Sequence, residues 1–294
     1  MKIILYSLNF KPEIVGIGKY SGELADYLHD KGHNIRVITA PKYYPEWQIK
    51  KNRFYVENFS RYEIYRCPLY VPKYPNGIKR VLHLISFSIT SLPILLKHLS
   101  WRPDLIILVA PTLLCCPNIF IFRLLSFKKV LTLLQIQDFE LEAAFNLGLL
   151  KGKLLRSFVQ KIEIIFFKSF HRVGAISKSM EKKINNKGIK KNKTFYFQNW
   201  VDLKFIKQKT QKDKYINSYR KTLKISPETI IIQYSGSMNQ KQGFSFLIPI
   251  IRYFKKYKNV FWLFGGEGPS KNEFINSTKD IHNIEFLPFQ KSSE

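Results

Sequence analysis

The stretch that decides the fold is MKIILYSLNFKPEIVGIGKYSGELADYLHDKGHNIRVITA, residues 1–40. Ile3 to Leu8 is an apolar run of strand length, too short for a membrane anchor. A loop leads to Gly16-Ile17-Gly18, and a helix is expected from Lys19, with Tyr20, Leu24, Tyr27 and Leu28 spaced to share one face against a sheet. Gly32 stands where a helix ends. Ile35 to Thr39 reads as a second buried strand, which completes a βαβ unit. Its glycines lie where backbone amides and a helix dipole can meet an anion, or where the chain only turns tightly. The motif alone leaves both open. A nicotinamide dinucleotide is disfavoured, because Ser21 stands where the fingerprint needs its third glycine, with Gly22 one place late. Thr39-Ala40-Pro41 also replaces the acid that would bind a ribose.

Working outward, the same alternation recurs through the 294 residues. Leu105 to Val109 and Val130 to Ile136 read as buried strands, and Asp138 follows the carboxyl end of the latter. That edge is where open α/β sheets bind ligands, although Asp138 would also cap a helix over ELEAAF. A basic amphipathic helix is expected from Lys153 to Phe170, a strand over Arg172 to Ile176, a helix capped by Ser177, and a short strand from Phe195 to Phe197. After Gln198-Asn199 a Lys-rich, weakly apolar segment marks the domain boundary. A second α/β pattern follows, with strands over Thr229 to Tyr234, Val260 to Phe264 and Ile284 to Leu287. Turns at Ser235-Gly236-Ser237 and Gly265-Gly266-Glu267-Gly268-Pro269 separate them from helices. The expected architecture is α/β, with two Rossmann-like domains, residues 1–199 and 200–294, the second with only three strands.

Two further stretches stand out. Residues 41–52, PKYYPEWQIKKN, form a Pro- and aromatic-rich loop whose rings Tyr43, Tyr44 and Trp47 are expected to touch a ligand or partner rather than only pack on their own domain. Val81 to Leu96 is a sixteen-residue apolar run, below the roughly 20 residues a bilayer span needs. It reads as a core helix or, with Lys79, Arg80, Lys97 and Arg102 around it, as a helix touching an anionic membrane surface.

Composition narrows the classes. The 48 Lys and Arg against 21 Asp and Glu give a formal charge of +27, which suits an anionic surface or a phosphorylated substrate. Abundant Lys, Asn, Ile, Phe and Tyr also fit a general compositional bias. Charge alone allows a nucleic-acid-binding protein, but no reader motif is present, so nucleic acid is not an expected partner. Cys67, Cys115 and Cys116 are odd in number with two adjacent, which suits a reducing cytosol rather than a disulfide framework. Six scattered His and no C-x-x-C give no metal site, and the N-terminus lacks the pattern of a signal peptide.

Taken in order, VGIGKYSGELADYL, YSGSMNQKQG and GGEGP resemble the glycine and lysine segments of retaining nucleotide-sugar glycosyltransferases of family 4. PKYYPEWQ, RCPLYVPK, APTLLCCP, QIQDFELEA and QNWVD are similar to the branch that adds fucose in colanic-acid-type exopolysaccharide synthesis. The resemblance implies two Rossmann-like domains facing a cleft (the GT-B type) and a nucleoside-diphosphate sugar as co-substrate. Gly16, Gly18 and Lys241 would bind the donor diphosphate, and Ser235, Gly236, Gly265, Gly266 and Glu267 the rest of the donor. Asp138 would act in catalysis, and Tyr44, Trp47 and Asn199 would line the acceptor side. If amides and Lys241 neutralise the leaving diphosphate, as the resemblance implies, no metal or other cofactor is required. The implied acceptor is a lipid-linked saccharide, the implied place the cytoplasmic face of the membrane, held peripherally. Gln135 replaces a His of close relatives, and Met238-Asn239 replaces a basic segment of the wider family. Family members continue for about another hundred residues, roughly the rest of an ordinary domain, so the resemblance also covers a truncated remnant that binds nucleotide sugar without turnover.

Overall fold

The computed structural model describes residues 1–13, 16–44, 47–58, 61–73, 77–139, 141–142, 145, 151–201 and 220–288, with Lys241 by its backbone alone. The chain forms two compact units, Met1–Trp200 and Val201–Glu294.

The first unit holds an eight-stranded sheet. Its strands are β1 (Lys2–Ser7), β2 (Asn34–Thr39), β3 (Tyr55–Asn58), β4 (Glu63–Arg66), β5 (Leu105–Ala110), β6 (Leu131–Ile136), β7 (Arg172–Ala175) and β8 (Thr194–Tyr196). The order is β3-β4-β2-β1-β5-β6-β7-β8. Every pairing is parallel except β3 with β4. Ile3 lies opposite Ile35 on one side and Leu105 on the other, which puts β1 in the middle of the sheet.

A parallel sheet must be covered on both faces, and the alternation along β1 records it. Ile3 and Leu5 join Leu24 and Ala25 of α1 (Gly16–Asp30) in one buried cluster. Ile4 and Tyr6 join a larger cluster on the opposite face. There they meet Phe87 of α2 (Gly77–Lys97), Phe122 of α3 (Cys116–Leu125), Phe167 of α4 (Lys153–Ser169) and Ile184 of α5 (Lys178–Asn186). Right-handed crossovers produce this division: the chain moves from β1 to β2 in one direction and from β4 through β8 in the other. Strand order therefore reverses beside β1 and β5, and the crevice at their carboxyl ends is a topological switch point.

Several expectations change. Helix α1 begins at Gly16 rather than Lys19, and its buried face is Gly18, Ser21, Gly22, Leu24 and Ala25. Tyr27 is 59% exposed, because the helix packs close to the sheet through small residues and leaves no room for a ring. Strands β3 and β4 had no clear signal. Helix α2 has 21 residues rather than sixteen, since Gly77 to Arg80 add a turn before the apolar run and Lys97 one residue after it. By length and composition alone it is long and apolar enough to cross a membrane. Its buried residues, Phe87 and Leu95 among them, belong to the core of the unit. Ser177 caps α5 as expected, its side chain accepting from the Met180 amide. Of the helix expected over ELEAAF, Leu141, Glu142 and Phe145 are helical and the other three residues lie outside the described set. Trp200 belongs with the first unit rather than the second: its Nε1 donates to Glu23 Oε2 at 2.7 Å and its ring lies 5.7 Å from Tyr20.

The second unit has three parallel strands in the order β11-β10-β9, namely β9 (Ile230–Ser235), β10 (Val260–Gly265) and β11 (Ile284–Leu287). Helices α6 (Phe244–Phe254) and α7 (Lys271–Thr278) pack on it through an aromatic core. The Phe264 ring lies 4.9 Å from Phe274 and 5.6 Å from Phe286.

Burial sets the mutational scale. Phe122 is fully buried and Phe127, a turn beyond its helix, is fully exposed. Phe122→Ala is expected to cost about 3–5 kcal/mol in denaturant unfolding of the first unit, and Phe127→Ala less than about 0.5 kcal/mol.

Candidate functional site

The motif residues of the first unit gather at the carboxyl edge, around the end of β1. Ser7 Oγ donates to Asn9 O and lies 3.1 Å from Ser21 Oγ, which ties the strand exit to α1. Thr39 Oγ1 donates to Leu8 O, joining the exits of β1 and β2. Between them sits a residue that no motif pointed to, Glu13. Its carboxylate accepts from Asn9 Nδ2 at 2.9 Å and from the amides of Tyr44 at 3.2 Å and Tyr43 at 3.4 Å. The residue is 3% exposed. Burial raises its pKa to about 7, against the opposing pull of those hydrogen bonds and of the nearby Arg66 charge.

Arg66 is itself buried. It donates to Ala40 O at 2.8 Å, to Lys11 O at 2.6 Å and to Glu57 Oε2 at 3.0 Å. One guanidinium thus holds both loops that flank the helix entrance. A fork of fixed donors does this where an ammonium would not.

The two glycines of the opening motif separate in role. A Cβ on Gly18 would lie 2.6 Å from Glu13 Cβ and 2.8 Å from its Oε2, so the absence of a side chain there makes room for the buried carboxylate. Gly16 has φ +58° and nothing within 4 Å of its missing Cβ. It opens the first turn of α1 at the switch point, where helix amides and dipole favour an anion.

The aromatic loop turns inward. Tyr43 is buried, and its ring lies 4.8 Å from His83 and 5.6 Å from Trp47, with the Arg80 guanidinium 5.4 Å from the Trp47 ring. Tyr44 and Trp47 are half-buried and pack against the core of their own unit. The rings stabilise the loop that supplies amides to Glu13; the expected ligand contact is not what their described packing serves.

Past β6, Asp138 is exposed beside the buried Gln137. Gln137 Oε1 accepts from Asn199 Nδ2 at 2.9 Å, so the Asn199 segment lies beside the β6 exit. Gln135 Nε2 and Asn199 Oδ1 are buried without a hydrogen-bond partner among the described residues, and such atoms are uncommon in folded proteins.

In the second unit the structure brings Ser235, Gly236, Gly265 and Gly266 together where β9 and β10 end. Gly236 N donates to Gly265 O at 3.0 Å. A Cβ on Gly266, at φ +142°, would fall 1.8 Å from Gly236 O. Two backbone turns touch there, and only glycine fits. Glu267 is exposed and pairs with Lys271 at 2.7 Å. Lys241 lies in the 3-10 turn Gln240–Gln242, and its side chain is outside the described set. Among the described residues no group of three or more His, Cys, Asp or Glu lies together to hold a metal. A shallow cavity of about 510 Å³ lined by Lys2, Asn34, Arg102, Asp104 and Lys128 lies at the amino edge, away from these loops.

Residues 15–200 match the model of the glycosyl transferase 4-like domain. The chain belongs to this glycosyltransferase family. It is 36% identical over 298 residues to WcaI of Escherichia coli (strain K12), a protein named for glycosyl transfer in colanic acid biosynthesis. That match covers 99% of this chain and 72% of the relative. Among solved structures, sucrose-phosphate synthase of Thermosynechococcus elongatus is similar with a TM-score of 0.71 at 13% identity, over 99% of this chain and 71% of that one. HepE of Anabaena, solved in complex with UDP-glucose, gives 0.62 at 13% identity, over 99% and 70%. The structural likenesses show the GT-B type of fold, and the family makes the chain a glycosyltransferase.

Glu13 sets a pH dependence. Its folded pKa of about 7 lies above the ordinary 4.5, so the folded state holds the proton longer than the unfolded state. Its contribution to stability is therefore greatest at low pH and is lost as pH rises from about 4.5 to about 7. Thermal melts across that window should show Glu13→Gln gaining on the wild type as pH rises. Gly266→Ala should destabilise the second unit by at least about 1–3 kcal/mol, read from its own unfolding transition, because a backbone carbonyl cannot step aside.

Proposed function

We propose that this protein transfers a hexose or deoxyhexose, fucose being the first candidate, from a nucleoside-diphosphate sugar to a lipid-linked saccharide, with retention at the anomeric carbon. The observation that carries the reading is Gly16, open and left-handed at the head of α1, in the switch-point crevice of a glycosyltransferase fold. The donor diphosphate meets the amides of that turn, while Lys241 supplies a point charge from the YSGSMNQKQG segment. Ser235, Gly236, Gly265, Gly266 and Glu267 belong to the nucleoside and sugar contacts of the donor.

The chemistry follows from where charge develops. As the bond from the anomeric carbon to the diphosphate oxygen breaks, negative charge grows on the diphosphate, and preorganised amides and an ammonium stabilise it without a metal. The acceptor oxygen forms its bond on the same face, and its proton passes to an oxygen of the departing diphosphate. Asp138, exposed beyond β6, orients the acceptor hydroxyl. Gln135 stays neutral at every pH, so proton transfer does not run through that position. A lipid-linked acceptor places the reaction at the cytoplasmic face of a membrane, with the enzyme held there peripherally.

The test is turnover with a panel of nucleotide sugars and a lipid-linked acceptor, with product configuration read by NMR. Transfer with retention, unchanged by chelator and reduced about 100-fold or more by Lys241→Ala, is the expected result. Binding of nucleotide sugar with no turnover on any acceptor, or a product of inverted configuration, overturns it.

A further inference from the structure

Helix α2 is apolar on two sides. Phe87 and Leu95 are fully buried against the sheet, as a surface helix requires. Its outer side should then be polar. Instead Ile78, Leu82, Ile85 and Ile89, at spacings that stack them in one stripe, are 72%, 50%, 37% and 66% exposed. Helix α3 lies alongside, joined through Asn118 Nδ2 donating to Ser88 O at 2.7 Å. It repeats the pattern: Ile119 and Phe122 are buried, while Phe120 and Leu124 are 55% and 69% exposed. Both helices cover the same face of the sheet, so their outer stripes form one apolar surface of a kind that soluble monomers rarely expose.

Charge selects the occupant. Residues 77–129 carry seven Lys and Arg against one acid, Asp104, and of these Lys79 and Lys97, at the two ends of α2, and Lys129, just past α3, are exposed. That acid is engaged by Lys128 and by the Lys2 amide. A second copy meeting this face by two-fold symmetry would bring the same cations together. An anionic lipid surface takes both the apolar stripes and the cations. A bilayer-spanning α2 is excluded by its other side, which is core.

We propose that the outer face of α2 and α3 is the surface by which this protein lies on an anionic membrane, both helices parallel to the interface with their apolar stripes at the acyl boundary. The inference rests on the peripheral reading above and gives it a face. It also explains the position of the site: α2 starts at the carboxyl edge and reaches the aromatic loop through His83, so a lipid-anchored acceptor in the same leaflet approaches from this side.

Co-sedimentation of the 294-residue chain with vesicles tests it, using phosphatidylglycerol with phosphatidylcholine in one arm and phosphatidylcholine alone in the other. The wild type should partition onto the anionic vesicles, less so at high salt. Leu82→Asp with Leu124→Asp should lower that partition about ten-fold or more at an unchanged thermal midpoint. Lys79→Glu with Lys129→Glu should weaken the preference for anionic over neutral vesicles. Equal binding to both vesicles, undiminished binding of the Asp pair, or a lipid-free dimer of the wild type that the Asp pair dissolves would each overturn it. Nucleotide-sugar affinity, measured on the same proteins without lipid, keeps the two readings apart. Its absence sinks the transfer reading and not the docking face; its survival in an Asp pair that no longer binds vesicles supports the docking face.

Discussion

Strand β1 has no side that water can touch, and most of the first unit follows from that constraint. Ile3 and Leu5 need a cover on one face, Ile4 and Tyr6 on the other. Only helices on both faces satisfy a parallel strand paired on both edges. The hand of the crossovers then assigns α1 to one layer and α2 to α5 to the opposite one. The crevice beside β1 is a by-product of this covering. Because it is formed by loops leaving strands, its backbone groups lie outside the ladder and are satisfied locally, as the Tyr43 and Tyr44 amides are by Glu13.

The crevice is held in shape by two buried charges that do not simply neutralise each other. Glu13 is satisfied mainly by amides and Asn9, and Arg66 mainly by carbonyls and Glu57. Replacing Arg66 with an apolar group would leave carbonyls of two loops unpaired, and replacing Glu13 would leave two amides of one, which is costlier than the loss of one ion pair. A buried carboxylate close to the start of α1 gains little from bulk water, so its charged form is disfavoured. Its raised pKa eases this, since the carboxyl is uncharged for part of the time near neutrality.

Much was legible from pattern. Alternating apolar runs and glycine turns placed the central strands of the first sheet and all three of the second, because buried parallel strands are continuous in hydrophobicity. The short segments YVEN and EIYR gave no such signal: four residues at a sheet edge carry too little periodicity. The buried face of α1 was misread for a different reason. Hydrophobic spacing favours large residues such as Tyr20 and Tyr27, whereas the helix approaches the sheet through Gly18, Ser21, Gly22 and Ala25. Likewise the packing of Tyr43, Tyr44 and Trp47 against the core of their own unit is not readable from their spacing.

By itself the sequence determined the order of strands and helices, the two-unit plan, the family and the positions of the glycines, since all of these are local patterns or ordered motifs. Only the tertiary structure decided what each glycine is for. Gly18 makes room for Glu13 and Gly266 for a carbonyl thirty residues away, while Gly16 faces open space. Steric demand of that kind depends on which backbone comes alongside, and no spacing along the chain records it.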